Sequence, residues 1–315
     1  VAVAWAAVAA LLGICLLHLL QVLDAAWEIA LIGVSPLVLW LGLPVAVGAV
    51  AGRRRVLAMA ALVPVVGWGV WAGPDFWPFP DAARPAGPAV RVFDANVSQA
   101  NRDLTGIAGE ITRDRPTVVV LEELTYVALA SLRTTGALRP FRWSVVRPDG
   151  SAGGMGIWST APLTGVSSWS AGEDQTELDA WVHPAGTPAF RLDGIHVYAP
   201  AFGPGQPAEW RHQLALVRLH LADEPRPLVV AGDFNATWDL RPFQQILHLG
   251  LADAAVLAGR GWEMTWPRDQ AYVLPYLRLD HVLVSPQLTV TSYRLGDGTG
   301  SDHHPLLVSV ATAAR

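Results

Sequence analysis

The residues able to do chemistry stand at the ends of short apolar runs. VRVFDANV (90–97) finishes near Asn96, and TVVVLEEL (117–124) finishes in Glu122 and Glu123. DGIHVYAP (193–200) carries His196 and, beside it, Tyr198. LVVAGDFNAT (228–237) presents Asp233 and Asn235, RLDHVLVS (278–285) presents Asp280, and GSDHHPLLV (300–308) presents Asp302 and His303. Carboxylate and amide oxygens are the donors a hard cation such as Mg²⁺ takes. An imidazole with a carboxylate is a pair for moving a proton. Taken singly, each has an ordinary explanation: Glu123 as a solvated strand-end carboxylate, Asp233 after Gly as a turn residue bonding its own backbone, His196 as a satisfied core histidine. Six such ends in one chain form a constellation.

Apolar runs of this length predict strands at 90–93, 117–121, 190–197, 228–231, 279–284, 289–295 and 306–310. Amphipathic spacing predicts helices at 103–114, 125–135, 207–221 and 241–249. Alternating strands and helices imply one α/β domain over 90–315, its strands packed as two sheets. In such folds ligands meet the chain where strands end.

Ahead of this domain the composition differs. Hydrophobic residues make up 52% of the chain, with a mean hydropathy of +0.33. Between Val1 and Phe79 the formal charges are Asp24, Glu28, Arg53, Arg54, Arg55 and Asp75 alone. Three apolar runs at 1–20, 29–52 and 56–73 are long enough to cross a bilayer. Pro36, Pro44 and Pro64 are tolerated in such spans, and Trp27, Trp68, Trp71 and Trp77 are placed near span ends as an interfacial belt. The first run lacks the basic leader and small-residue cleavage site of a signal peptide. Residues 1–79 are thus expected to form a multi-pass membrane anchor, joined by a Pro/Gly/Ala-rich linker at 80–89. Arg53–Arg55 lie between the second and third spans, and the positive-inside rule puts them in the cytoplasm. The domain that follows then faces the extracytoplasmic side of the cell membrane.

The same six segments, in this order, resemble the endonuclease/exonuclease/phosphatase superfamily over 90–310. Gly-Asp-x-Asn in GDFNAT and Ser-Asp-His-x-Pro in SDHHP carry the resemblance most specifically. With Thr265-Trp266-Pro267 and RLDHVLVS, the chain is most similar to a bacterial branch with N-terminal spans, the teicoplanin-resistance-type proteins. The resemblance implies a two-sheet α/β sandwich and a metal-dependent phosphoric ester hydrolase using Mg (or Mn). It implies Glu123 as main metal ligand, with Asn96 nearby and Asp302 contributing, and Glu122 either behind it or facing away. It further implies that Asp233 orients or deprotonates the attacking water and that Asn235 and His196 bind the phosphate. His303 would touch the phosphoryl group, oriented by Asp280, with Tyr198 lining the pocket. His183, His212, His220, His248, His281, His304, Trp262 and Trp266 are assigned no role beyond packing.

The expected partner is a phosphorylated molecule, with membrane lipids and lipid-linked pyrophosphates the first candidates, since anchoring raises their effective concentration. A nuclease is the rival within the superfamily. From Pro80 onward 19 basic residues face 24 acidic ones, and every basic residue is Arg with no Lys, so nucleic acid is disfavoured. A silent membrane-tethered binding module is the rival from another class; the intact matched residues argue against it. The lone Cys15 excludes an intrachain disulfide.

Overall fold

The computed structural model describes residues 1–76, 84–173, 175–201, 203, 205–270 and 272–314. Three segments long and apolar enough to cross a membrane lead the chain. They are α1 (Ala2–Leu20), then α2 (Ala26–Val38) joined through a 3₁₀ turn (Leu39–Leu41) to α3 (Gly42–Ala51), and α4 (Arg55–Phe76). The second span is broken rather than continuous. Pro44 has no N–H to give the Trp40 carbonyl, so the α-helical ladder cannot run unbroken through this stretch. Gly42 lets α3 lie close on α4: a Cβ there would stand 2.3 Å from the Ala61 carbonyl oxygen. The expected aromatic belt is only partly seen. Trp27 is exposed, but Trp71 stacks on His18 at 3.9 Å and Trp68 packs against Leu11, Cys15 and Leu39. Trp77 lies outside the described residues, as do 80–83 of the linker; from Arg84 the chain runs beside the C-terminal strand, with Pro85 bridged to Ala313.

The remainder is β1 (Val90–Asn96), α5 (Thr105–Asp114), β2 (Val118–Glu122), α6 (Tyr126–Thr135), β3 (Trp143–Arg147), β4 (Met155–Ser159), β5 (Leu163–Trp169), β6 (Glu177–Val182), β7 (Phe190–His196), α7 (Gln206–Asp223), β8 (Leu228–Asp233), α8 (Arg241–Leu247), β9 (Ala252–Asp253), α9 (Ala254–Leu257), β10 (Asp280–Val284), β11 (Leu288–Leu295) and β12 (Leu306–Thr312). Two six-stranded sheets form a sandwich, ordered β11-β12-β1-β2-β4-β3 and β5-β6-β7-β8-β10-β9. β1 and β2 are parallel at the middle of one sheet, β7 and β8 at the middle of the other, with antiparallel neighbours outside.

Side chains alternate along each strand, so both faces of the central strands must be covered. In β2, Val118 and Val120 meet the opposite sheet, while Val119 and Leu121 pack under α5 and α6. That explains why TVVVL reads as an unbroken apolar run. The outer face of the second sheet packs on α7 and α8, and here the N-terminal helices join the domain. Leu23, Ile29 and Ile32 share a buried cluster with Trp210, Leu240 and Phe243. Polar ties reinforce the seam: Gln21 donates to the Asp239 carbonyl at 3.0 Å and accepts from the Arg241 amide at 2.8 Å.

Candidate active site

The inner-face parity carries on to the strand ends and turns from apolar to polar there. Val90, Val92, Asp94 and Asn96 share one face of β1; Val118, Val120 and Glu122 share the same face of β2. On the other sheet Leu192 leads to His196, Val229 and Ala231 lead to Asp233, and Val282 follows Asp280. Register fixes the neighbours: His196 lies opposite Asp233 on parallel strands, and Asp233 opposite Asp280 on antiparallel ones. Polar groups from both sheets therefore converge at one end of the slot between them.

Two of these residues leave regular backbone geometry. Glu123, just past β2, has φ +52°, and Asn235 has φ +46°. A left-handed turn costs a non-glycine residue about 1–3 kcal/mol, held here by surrounding bonds. For Glu123 the turn reverses parity, so Glu122 stays between the sheets while Glu123 reaches the mouth. Gly232 is required outright: a Cβ there would lie 1.8 Å from the Ile195 carbonyl oxygen.

Asp233 is the hub. Its Oδ2 accepts from Asn96 Nδ2 at 3.0 Å and Asn235 Nδ2 at 3.1 Å, and its Oδ1 accepts from the Asn235 amide at 2.7 Å. His303 Nε2 stands 3.8 Å from Asp233 Oδ2, and His303 Nδ1 bonds Asp280 Oδ2 at 2.8 Å. Asn96 Nδ2 also donates to Glu123 Oε1 at 3.0 Å, and the Gln99 amide donates to Glu123 Oε2 at 2.7 Å. His196 Nδ1 lies 3.1 Å from the Ala152 carbonyl, to which it must donate, leaving Nε2 3.7 Å from Glu123 Oε1.

Glu123, His196, Asp233, Asn235, Asp302 and His303 all line one cavity of about 490 Å³, with Tyr198 beside them. Asn96 and Asp280 are buried immediately behind. All eight residues singled out in the sequence are thus brought together. Asn96 departs from expectation in detail: its nitrogen faces the two carboxylates and its oxygen accepts from the Ser98 amide at 2.9 Å, so it braces Glu123 rather than offering a ligand oxygen.

Electrostatics set the protonation. Burial, then the Asp280 charge, push Asp233 up to about 8. Burial opposes charging of His303, yet the Asp280 and Asp233 carboxylates hold it as imidazolium, raised to about 10. Burial lowers His196. Behind the site, burial and the Asp280 charge raise Asp94 well above the usual range, and burial and the Asp94 charge do the same to Glu122. The crowded negative charge around Asp233, with accessible oxygens on Glu123 and Asp302, suits a hard divalent cation. Asp233, Asp280 and His303 also place ligand atoms within 4.8 Å of one another, but the His303–Asp280 bond already uses one His nitrogen.

Comparison with known proteins agrees with the geometry. Residues 90–303 match the model of the Endonuclease/Exonuclease/phosphatase family. The chain belongs to that family. Among solved structures of the same fold, an endonuclease/exonuclease/phosphatase from Beutenbergia cavernae is 20% identical over 73% of this chain and 72% of its own, with a TM-score of 0.55. D. rerio TDP2, complexed with single-strand DNA product, is 17% identical over 71% of this chain and 99% of its own, with a TM-score of 0.58. The 3′ phosphatase NExo from Neisseria, bound to a product DNA hairpin, is 20% identical over 70% and 98%, with a TM-score of 0.53. No curated protein matches the chain. Family members hydrolyse phosphoester bonds, commonly with divalent metals, and the acidic cluster here is of that kind.

Several positioning residues were not singled out in the sequence. Thr265 Oγ1 accepts from the Leu279 amide at 3.0 Å and the Asp280 amide at 3.3 Å, fixing the start of β10. Ser301 Oγ donates to the Asn96 carbonyl at 2.6 Å and accepts from the His303 amide at 3.0 Å, tying the His303 loop to β1. His281, assigned only packing, spans Asp253 at 2.7 Å and the Ala236 carbonyl at 2.9 Å, which steadies the GDFNA loop. Ser-Asp-His and Thr-Trp-Pro were visible as motifs; the bonds they make were not.

A second carboxylate–His group, Asp179, Asp193, His220 and Glu224, lies on the outer face of β6 and β7. Arg191 ion-pairs with all three of its carboxylates, at 3.7 Å to Asp193 and 2.7 Å to Glu224, and His220 stacks on Trp169. This is a structural ion network.

Proposed function

We propose that the protein is a membrane-anchored phosphoesterase, dependent on Mg²⁺ or Mn²⁺, acting on a phosphoester or pyrophosphate carried by an extracytoplasmic, lipid-linked molecule. The observation that carries this reading is the cavity itself: the acid–base constellation forms its floor, and Ala26, Ile29, Gly33 and Val34 of the membrane-type helix α2 form one wall. A phosphorylated headgroup held there would lie against a helix of bilayer composition, which supports a membrane-borne substrate.

In this reading Glu123 would hold the cation with help from Asp302, and the cation, when bound, would supply positive charge at the phosphoryl oxygens. Asn96 keeps the Glu123 and Asp233 carboxylates in place. Asp233 accepts the proton of the attacking water, its raised pKa making it a stronger base than an ordinary carboxylate. His303, charged and aligned by Asp280, lies against the developing negative charge on the phosphoryl group and can protonate the leaving oxygen. His196 becomes charged when an anion arrives and binds it through Nε2. Asn235 spends its amide N–H groups on Asp233 and the Val197 carbonyl, at 2.8 Å for the latter, so it contributes by locking the base. Arg53–Arg55 lie at the far end of the spans from the domain, which supports placing the domain outside the cytoplasm. The likeness to teicoplanin-resistance-type proteins supports the same assignment.

The test is a panel assayed with the full chain in nonionic detergent, with and without Mg²⁺: bis(p-nitrophenyl) phosphate, phospholipid vesicles, a polyprenyl diphosphate and single-strand DNA. Metal-dependent turnover of a lipid phosphoester, lost in Asp233→Asn, is expected. Hydrolysis of DNA alone would replace this reading with a nuclease, and no turnover of any member would leave a binding module.

A further inference from the structure

The helix α2 does more than tether the domain. Ala26, Ala30 and Val34 recur at intervals of one helical turn and face the cavity together, a stripe about 12 Å long at 1.5 Å per residue. Leu240, Tyr276 and Leu277 add a second apolar wall to the same cavity. The two walls meet at Gly33, where a Cβ would be 3.2 Å from Leu277 and 3.3 Å from Thr237. At one end this apolar passage opens on Glu123, Asp233 and His303. In the chain, the segment carrying Tyr276 and Leu277 follows directly on Tyr272 and Leu274, which are 106% and 84% exposed. Large apolar side chains standing in solvent beside a helix of bilayer composition are placed for a hydrocarbon medium. From mouth to floor the passage changes from apolar to ionic, the polarity profile of an amphiphile.

The geometry points to α2 as the specificity wall of the active site, with the hydrocarbon chain of a single-chain lipid phosphate lying along Ala26, Ala30 and Val34 while its phosphate reaches the floor. This rests on the phosphoesterase reading and adds which residues select the substrate. Ala30 is the sharpest position, because it lines the cavity at the middle of the stripe and its side chain is exposed.

The experiment uses the full chain in nonionic detergent with alkyl phosphates and alkyl diphosphates of two to twelve carbons. In the wild type kcat/KM should climb with chain length, by up to about fourfold for each fully buried methylene. Ala30→Trp should lower the ratio of kcat/KM for the dodecyl to that for the ethyl substrate at least about tenfold, equivalent to losing roughly two buried methylenes. Val34→Trp should act in the same direction. Val47→Ala, exposed on α3 and not among the residues lining the cavity, should leave the ratio as it is; detergent partitioning is common to all four proteins and cancels. Metal-dependent turnover indifferent to chain length, or a ratio that Ala30→Trp and Val34→Trp leave untouched, overturns the specificity wall and spares the phosphoesterase. Absence of metal-dependent turnover at every chain length overturns both.

Discussion

Replacing Asp280 with Asn should move the whole pH–rate profile to lower pH. Asp280 never reaches the substrate in this account; it acts on two groups that do. It raises His303, whose pKa stands at about 10 against an ordinary 6.5, and it raises Asp233, which burial and Asp280 together bring to about 8. At about 1.4 kcal/mol per unit, the His303 shift corresponds to roughly 5 kcal/mol favouring imidazolium, shared between Asp280 and Asp233 against burial. Asp280 is the bonded partner, at 2.8 Å, whereas Asp233 lies 3.8 Å away, so removing the Asp280 charge should forfeit at least half of it, about two units or more. The base must be ionised and the imidazole protonated. Activity therefore rises as pH passes the Asp233 pKa and falls as it passes that of His303, and both limbs should shift down in the variant. A bound cation lowers the limbs of both proteins, so the displacement between the two profiles is the readout. The assay is kcat/KM for a soluble phosphodiester from pH 5 to 10.5 at saturating Mg²⁺. A variant that loses rate uniformly, with both limbs where the wild type has them, would refute the idea that Asp280 works through charge on His303 and Asp233.

Other outcomes follow from named contacts. Glu123→Gln should raise the Mg²⁺ concentration needed for half-maximal rate and lower the rate about 10²–10³-fold, with EDTA abolishing wild-type turnover; titration of rate against metal checks both. Gly232→Ala should fold poorly, because a Cβ 1.8 Å from the Ile195 carbonyl has nowhere to go, and a thermal melt should show a loss of several kcal/mol, roughly 3 or more. Asp253 gives a stability signature: burial opposes it, but Arg278 and His281 hold its carboxyl at about 2, below the unfolded 3.8. Stability it contributes, roughly 2–3 kcal/mol, is then present above pH about 4 and lost as pH falls toward 2. Asp253→Asn should flatten that part of the denaturation profile, and an unchanged slope would contradict it. In intact cells a membrane-impermeant maleimide should label a cysteine placed at exposed Arg102 and spare one placed at Arg54.

Sequence pattern revealed the central strands because burial on both faces turns them into apolar runs, as in TVVVL and LVVA. It revealed α5 to α8 through amphipathic spacing and turn residues. The strands β3 to β6 were not visible. β5, LTGVSSW, is largely exposed and breaks its alternation at a bulge, and β6, ELDAWV, alternates but is short and buries the charged Glu177 and Asp179 on its second face, so neither reads as an apolar run. Site residues were readable as motif letters, and the fold gathers them because strand parity and register point them into one slot. What letters could not convey was orientation: the turn at Glu123 that separates it from Glu122, the Asn96 amide facing two carboxylates, or the Thr265 and Ser301 hydroxyls behind them. A helix apolar on every side also gives no hint of which face docks, so the role of α2 as a cavity wall emerged only in three dimensions.

The most direct measurement is an anomalous-scattering structure of the full chain grown with Mn²⁺ and phosphate. One Mn²⁺ on the Glu123 carboxylate, with phosphate in reach of His303 and His196, is the expected result. Mn²⁺ bound at Asp179, Asp193 and Glu224 instead, with the cavity at Asp233 empty of metal, would contradict the account.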